Sequence, residues 1–138
     1  MACKGGTYKN FTGQGDCIIC GVDTYSNITA ATSENDCLAC PYKTFSMAES
    51  NQIVDCTCMK GYTGADGTAC TACNKGTYKS DTGSGQCTDC DEGSYSTTEA
   101  AQSKDTCRSC QSNSASNSGS TSNDDCRCND GFYDSANS

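Results

Sequence analysis

The chain has 138 residues, 15 of them cysteine, with 9 basic against 17 acidic side chains, no histidine, no tryptophan and a net charge of −8. The acidic balance argues against nucleic acid and anionic lipid as partners, and no apolar run approaches the ~20 residues of a membrane span, so no membrane insertion is expected in this segment. Without histidine there is no Ser-His or Cys-His pair and no imidazole acid–base group, so no catalytic residue is assigned and the chain is expected not to be an enzyme.

Only 20 residues are Val, Ile, Leu, Met, Phe or Tyr. Such a chain cannot bury enough apolar surface to offset the entropy of ordering its backbone, so covalent or metal cross-links must hold it.

Taken in chain order, the cysteines punctuate a recurring theme. Cys3-Lys-Gly-Gly-Thr-Tyr8 leads through a polar turn with Gly13 and Gly15 to Cys17. Cys20-Gly-Val-Asp-Thr-Tyr25 leads to Cys37, Cys40-Pro-Tyr-Lys-Thr-Phe45 to Cys56, and Cys58-Met-Lys-Gly-Tyr62 to Cys70. The theme then starts again, because residue n overlies residue n+70 without a gap. Cys3, 17, 20, 37, 40, 56 and 58 fall on Cys73, 87, 90, 107, 110, 126 and 128, and Gly6-Thr7-Tyr8-Lys9 falls on Gly76-Thr77-Tyr78-Lys79. The expected domains are therefore residues 1–70 and 71–138, the second ending before its last cysteine.

Each module reads as a short strand, a turn and a return strand, pinned by cysteines near its ends, with glycines such as Gly83 and Gly85 easing the turn. The aromatic can lie against a neighbouring disulfide as a one-residue core. Helical periodicity is absent over any useful length. The fold class expected is a small, disulfide-rich, mostly irregular and β protein: an elongated tandem array of one-disulfide hairpin modules with no helical core. In Cys87-Thr-Asp-Cys90, Cys87 is expected to close one loop, Thr88-Asp89 to form a hinge, and Cys90 to open the next with Tyr95 packed beneath it.

Three chemistries compete for the cysteines. Cys17-x-x-Cys20…Cys37-x-x-Cys40, repeated at Cys87…Cys110, has the two-pair spacing of a zinc ribbon, and Cys56, Cys58, Cys70 and Cys73 could supply a second site. The missing histidine, and an aromatic theme that follows C-x-x-C and C-x-C alike, weigh against zinc. A redox C-x-x-C needs a helix N-terminus within a βαβ unit, which nothing here offers. Disulfides explain the spacing best. The theme favours neighbour-to-neighbour pairing, Cys3–Cys17, Cys20–Cys37, Cys40–Cys56, Cys58–Cys70, Cys73–Cys87, Cys90–Cys107 and Cys110–Cys126, each bridge worth roughly 3 kcal/mol. Interleaved pairing, such as Cys20–Cys40 with Cys37–Cys56, stays open.

The stretch CNKGTYKSDTGSGQCTDCDEGSYS, Cys73–Ser96, resembles the cysteine-rich repeat of ephrin-type receptors, C-x-x-G-x-Y…C-x-x-C…S-Y-S. CTCMKGYTG (Cys56–Gly64) and CRCNDGFYD (Cys126–Asp134) resemble the C-x-C-x-x-G-[FY] ending shared with EGF-like modules, and tumour-necrosis-factor-receptor-like modules are a looser match. The resemblance implies an extracellular, elongated, disulfide-rich architecture, of the kind found in receptors, protist surface antigens and matrix proteins.

Other candidate sites are sparser. Asn10-Phe-Thr12 and Asn27-Ile-Thr29 are N-glycosylation sequons. The run Gln111–Asn123 lacks the aromatic, having Ala115 where its register partner has Phe45. It offers O-glycan acceptors at Ser112, Ser114, Ser116, Ser118, Ser120, Thr121 and Ser122. Asp124, Asp125, Asp130 and Asp134 could hold a weak Ca²⁺, but no EF-hand spacing is present and no resident cofactor is expected. Cys128 is left unpaired, or bonds a following repeat or a second protomer, since its register partner would be residue 140. Met1-Ala2-Cys3 falls on Thr71-Ala72-Cys73, so both ends read as cuts through a continuing array, and no signal peptide precedes Cys3.

The function expected is that of a structural protein of the extracellular space or cell surface: a disulfide-stapled rod that self-associates into a surface filament or coat and carries glycans. The alternative is a receptor or adhesion ectodomain whose repeats form a stalk or bind a protein ligand, with Ile18-Ile19, Tyr42 and Ile53-Val54 as its few apolar anchors. An array of zinc sites, each held by four cysteines, is the second alternative.

Overall fold

The computed structural model describes residues 1–133. Among them lie seven two-stranded sheets, each made of two-residue strands contributed by neighbouring stretches of chain. Thr7–Tyr8 pairs antiparallel with Ile18–Ile19, Thr24–Tyr25 with Leu38–Ala39, and Thr44–Phe45 with Thr57–Cys58. Tyr62–Thr63 pairs with Thr71–Ala72. Thr77–Tyr78 then pairs with Thr88–Asp89, Ser94–Tyr95 with Ser109 and Arg108, and Ser114–Ala115 with Cys128 and Arg127. Each hairpin carries a disulfide, and the tandem hairpin architecture expected from the cysteine spacing is the architecture observed.

One expectation is corrected. Thr88-Asp89 is not a hinge but a return strand, as are the pairs inside the other C-x-x-C motifs, Ile18-Ile19, Leu38-Ala39, Thr71-Ala72 and Arg108-Ser109. The first cysteine of the pair closes the loop before the return strand begins, and the second follows at once as the opening of the next hairpin. A dipeptide between two fixed points extends naturally as strand, since each residue can rise ~3.3 Å.

Three-residue 3₁₀ turns precede four of the closing cysteines, at Glu34–Asp36, Ile53–Asp55, Lys104–Thr106 and Asn123–Asp125. Three are capped alike by a carboxylate. Asp36 accepts from the Thr32 and Ser33 N–H groups, Asp55 from Asn51 and Gln52, and Asp125 from Thr121 and Ser122, all at 2.8–3.0 Å. These satisfy donors that so short a turn cannot satisfy itself.

The chain divides into two compact units. One comprises Met1–Met59, Thr63–Thr71 and Thr82–Gly85; the other comprises Lys60–Tyr62, Ala72–Asp81 and the chain from Gln86 onward. Burial in both falls on cysteine and small residues. Cys20, Cys56, Cys58, Cys73 and Cys90 are fully buried, as are Ser26, Ser46 and Ser96. Tyr8 packs with Cys20, Ala31 and Cys37, so one aromatic does lie against its neighbour's disulfide. Tyr25, Phe45, Tyr78 and Tyr95 are half-buried.

Candidate functional site

The repeated site of this molecule is the joint between consecutive hairpins, and it is built almost wholly from backbone. Every hairpin opens on a residue in the left-handed region: Gly6, Asp23, Lys43, Gly61, Gly76, Gly93 and Asn113, with φ between 60° and 79°. The carbonyl of that residue accepts the N–H of the cysteine that opens the next module or, at Cys58 and Cys128, of the residue just after that cysteine. Cys20 donates to Gly6, Cys40 to Asp23, Met59 to Lys43, Cys73 to Gly61, Cys90 to Gly76, Cys110 to Gly93 and Asn129 to Asn113, at 2.8–3.1 Å. Its N–H reaches the next hairpin too, donating to the residue after that hairpin's first strand. Gly6 bonds Ser26, Asp23 bonds Ser46, Gly61 bonds Lys79, Gly76 bonds Ser96 and Gly93 bonds Ser116, at 2.7–3.0 Å.

A second hook repeats beside the first. A residue in the turn of the later hairpin donates its N–H to the cysteine carbonyl that opens the earlier one: Ala30 to Cys3, Glu49 to Cys20, Gly83 to Cys58, Ala100 to Cys73 and Gly119 to Cys90, at 2.7–2.9 Å. All five donors have positive φ, between 51° and 107°. Parallel bridges Tyr8–Ala31, Tyr78–Ala101 and Tyr95–Ser120 complete the contact. Backbone groups buried between hairpins are thereby paired, each bond contributing net roughly 1 kcal/mol.

Close approach explains three of the glycines. A Cβ on Gly6 would stand 2.2 Å from the Glu49 carbonyl oxygen, one on Gly61 2.3 Å from that of Ala100, and one on Gly76 2.1 Å from that of Gly119. The buried serines belong to the joint as well: the Ser46 hydroxyl donates to the Thr24 carbonyl and that of Ser116 to the Ser94 carbonyl, both at 2.9 Å.

The side chains singled out from the sequence are distributed as follows. The structure brings Cys3 to Cys17, Cys20 to Cys37, Cys40 to Cys56, Cys58 to Cys70, Cys73 to Cys87, Cys90 to Cys107 and Cys110 to Cys126, with Cα atoms 5.6–5.8 Å apart. Cys128 is a free, exposed thiol. Sulfurs joined in disulfides are not zinc ligands, so the array of four-cysteine zinc sites gives way to the disulfides. Among the described residues no group of three or more His, Cys, Asp or Glu is gathered to hold a metal.

Asp124, Asp125 and Asp130 are exposed, and Asp134 lies outside the described residues. The Asp125 carboxyl has a capping role: the Thr121 and Ser122 N–H groups hold its pKa below the usual carboxylate value. Asn10 and Asn27 are exposed. Within the serine-rich run Ser112, Ser118 and Thr121 are exposed, Ser114, Ser120 and Ser122 are half-buried, and Ser116 is buried with its hydroxyl engaged as above.

Among the described residues the features that repeat are the backbone joints and the disulfide in each hairpin. A family model described as tyrosine-protein kinase ephrin type A/B receptor-like matches residues 1–37 and 61–107, more than half of the chain. The chain belongs to the ephrin-receptor-like family. The two matched stretches run through Cys3–Cys37 and Cys73–Cys107, which are equivalent in the seventy-residue register. No curated protein matches the chain. Membership in the ephrin-receptor-like family suggests an extracellular, receptor-type cysteine-rich region, and no helix among the described residues is long and apolar enough to cross a membrane.

The sequence had no signal for the left-handed Asp23, Lys43 and Asn113, nor for the buried serines. Their common position, immediately before the first strand or immediately after it, emerges only when the modules are superposed.

Proposed function

We propose that this chain is a structural, extracellular ephrin-receptor-like protein whose disulfide-stapled hairpins, arranged as repeats 1–70 and 71–138, assemble into a surface filament or coat. The observation that carries the proposal is the joint. It is made of main-chain hydrogen bonds and so accepts Gly, Asp, Lys or Asn at one position, and a contact of that kind can be repeated without limit. The seven bridges above are the proposed native pairs, and Asn10 and Asn27, both exposed, are the proposed N-glycan acceptors. Ser112, Ser118 and Thr121 are the acceptors that folding leaves accessible within the serine-rich run. Catalysis forms no part of this reading, and neither does a resident metal.

Electron microscopy of the glycosylated, oxidised protein tests it: ordered filaments or sheets are the expected result, and dispersed particles at all concentrations would count against assembly. Non-reducing peptide mapping tests the pairs, and a linked Cys20–Cys40 peptide would replace them with the interleaved scheme. An unchanged mass after deglycosylation would remove the glycans.

A receptor or adhesion ectodomain is the second reading, favoured by the family and by exposed apolar side chains. Ile18, Ile19, Tyr42, Ile53 and Val54 are 38–70% exposed. Solvent-facing apolar side chains of this size suit a protein ligand. Particles that stay monomeric, yet capture a ligand through these residues, would favour this reading over the first.

A further inference from the structure

One cluster of side chains separates the seventh hairpin from its counterpart seventy residues earlier, the third. Ala115 and Arg127 face each other across the seventh hairpin as Phe45 and Thr57 do across the third. Around that pair Val22 is replaced by Glu92 and Met47 by Asn117, while Ser46, Ser50 and Asp55 are kept as Ser116, Ser120 and Asp125. The residues that are kept have structural duties. The Ser116 hydroxyl bonds the Ser94 carbonyl, the Ser120 hydroxyl bonds the Asn117 carbonyl at 2.8 Å, and Asp125 caps its turn. Those that change have none: among the described residues no hydrogen bond or ion pair engages the side chains of Glu92, Asn117 or Arg127.

Where the third hairpin holds a half-buried Phe45, the exchange leaves a hollow of about 490 Å³ lined by Glu92, Ala115, Asn117, Ser120, Asp125 and Arg127. Sites for small molecules span ~300–1,000 Å³. All six residues belong to the unit that runs onward from Gln86. The position is open in its own right, because Val22, Met47 and Asp55 stay exposed in the first repeat, where a further hairpin follows.

An occupant stands at the rim. Thr121 is exposed, and its Oγ1 lies 3.5 Å from a carboxylate oxygen of Asp125, a wall residue. Asp125 does not depend on that long contact, since the same oxygen accepts the Thr121 and Ser122 N–H groups at 2.8 and 3.0 Å. The third hairpin, which carries Phe45, has Asn51 in place of Thr121, so the hydroxyl and the space occur together.

We propose that Thr121 carries an O-linked sugar whose ring folds back into this hollow and takes the place that Phe45 holds in the third hairpin. The inference rests on the glycan part of the reading above and names its site and its seat. Transfer forms the bond between Thr121 Oγ1 and the anomeric carbon of an activated sugar phosphate. The bond from that carbon to the phosphate oxygen breaks, and the threonine proton leaves with the phosphate. Sugar hydroxyls both donate and accept, so Glu92 accepts from them while Asn117 and Arg127 donate. The Ala115 methyl meets the C–H face of the ring. Attachment at the rim makes these contacts intramolecular, so individually weak bonds suffice.

The test uses the full chain secreted from a cell that adds O-glycans. Glycopeptide mapping locates the sugar, and its enzymatic release from the folded protein is timed in the parent, in Ala115→Phe and in Asn117→Met. Both variants install the residue of the third hairpin, and NMR dispersion checks that each is folded. The expected result is a sugar on Thr121 with nuclear Overhauser contacts to the Ala115 methyl. Its release should be roughly tenfold slower from the parent than from Ala115→Phe, as for a ring that leaves its seat about a tenth of the time. Asn117→Met should also release it faster than the parent. Equal release from all three proteins, without contact to Ala115, overturns the seating and leaves the glycan reading standing. Sugars at Ser112 or Ser118 alone overturn Thr121 as the site and likewise leave that reading. A serine-rich run with no sugar at all overturns both, and the assembly reading is then judged by microscopy alone.

Discussion

At the scale of single residues, the fold depends on backbone conformations that few side chains allow. Gly76 and Gly93 hold the same place in successive hairpins, at φ 77° and 75°, yet their surroundings differ. A Cβ on Gly76 meets the Gly119 carbonyl at 2.1 Å, while one on Gly93 meets nothing within 4 Å. Gly93→Ala is therefore expected to cost about 1 kcal/mol, the left-handed penalty alone. Gly76→Ala is expected to cost roughly 2–4 kcal/mol, because backbone must move. Hydrogen exchange of the Gly76 and Ser96 amides in each variant reads the difference, and equal losses would refute the close approach. Asp125 gives a pH prediction. Hydrogen bonds from Thr121 and Ser122 lower its pKa in the folded state, so its capping contribution is complete above the unfolded carboxylate value of about 3.9. That contribution is lost as pH falls through the folded value. The Thr121 and Ser122 amides should lose protection in that acid window in the parent, and be unprotected at every pH in Asp125→Ala.

At the scale of the hairpin, the cysteine spacing and the aromatic position were enough to read strand, turn and return strand, because a loop of ~12–18 residues closed at both ends has few other ways to fold. The return strand itself was misplaced. Ile18-Ile19 and Thr88-Asp89 are too short to show a two-residue alternation, so the tight C-x-x-C spacing read as a hinge. The joint was illegible for a different reason: its bonds run from main chain to main chain, so Asp23, Lys43 and Asn113 can replace glycine without leaving a common signature. Only the glycines at 6, 61 and 76, pressed against carbonyls, mark it in the sequence. Removing one bridge tests how far each hairpin depends on its own closure. Cys90→Ser with Cys107→Ser should cost the sixth hairpin roughly 3 kcal/mol. Amide protection should fall at Ser96, Cys110 and Gly119, whose bonds arise in that hairpin or run to it, while the Ala30 and Glu49 amides stay protected. Uniform loss across the chain would mean that the hairpins fold as one cooperative body rather than as neighbours.

At the scale of the whole molecule, the balance of forces is unusual because the interior is made of sulfur, small residues and peptide groups. Cys58, Cys90, Ser26 and Ser96 are among the most completely buried residues, whereas Ile18, Ile19, Leu38, Tyr42, Ile53 and Val54 face solvent. Hydrophobic burial therefore cannot restore order once the chain is uncrosslinked, and the joints cannot form without hairpins to present them. Reduction at neutral pH, without denaturant, is expected to abolish NMR dispersion and amide protection throughout. A chelator is expected to change neither, because the sulfurs are bonded to one another. Retention of structure after complete reduction would show that the hydrogen-bonded joints suffice on their own. Loss of structure on chelation alone would return the cysteines to a metal. The expected pattern, sensitivity to reductant and indifference to chelator, follows from placing the stabilising energy in bridges that restrict the unfolded chain, with the joints adding order only after those bridges have formed.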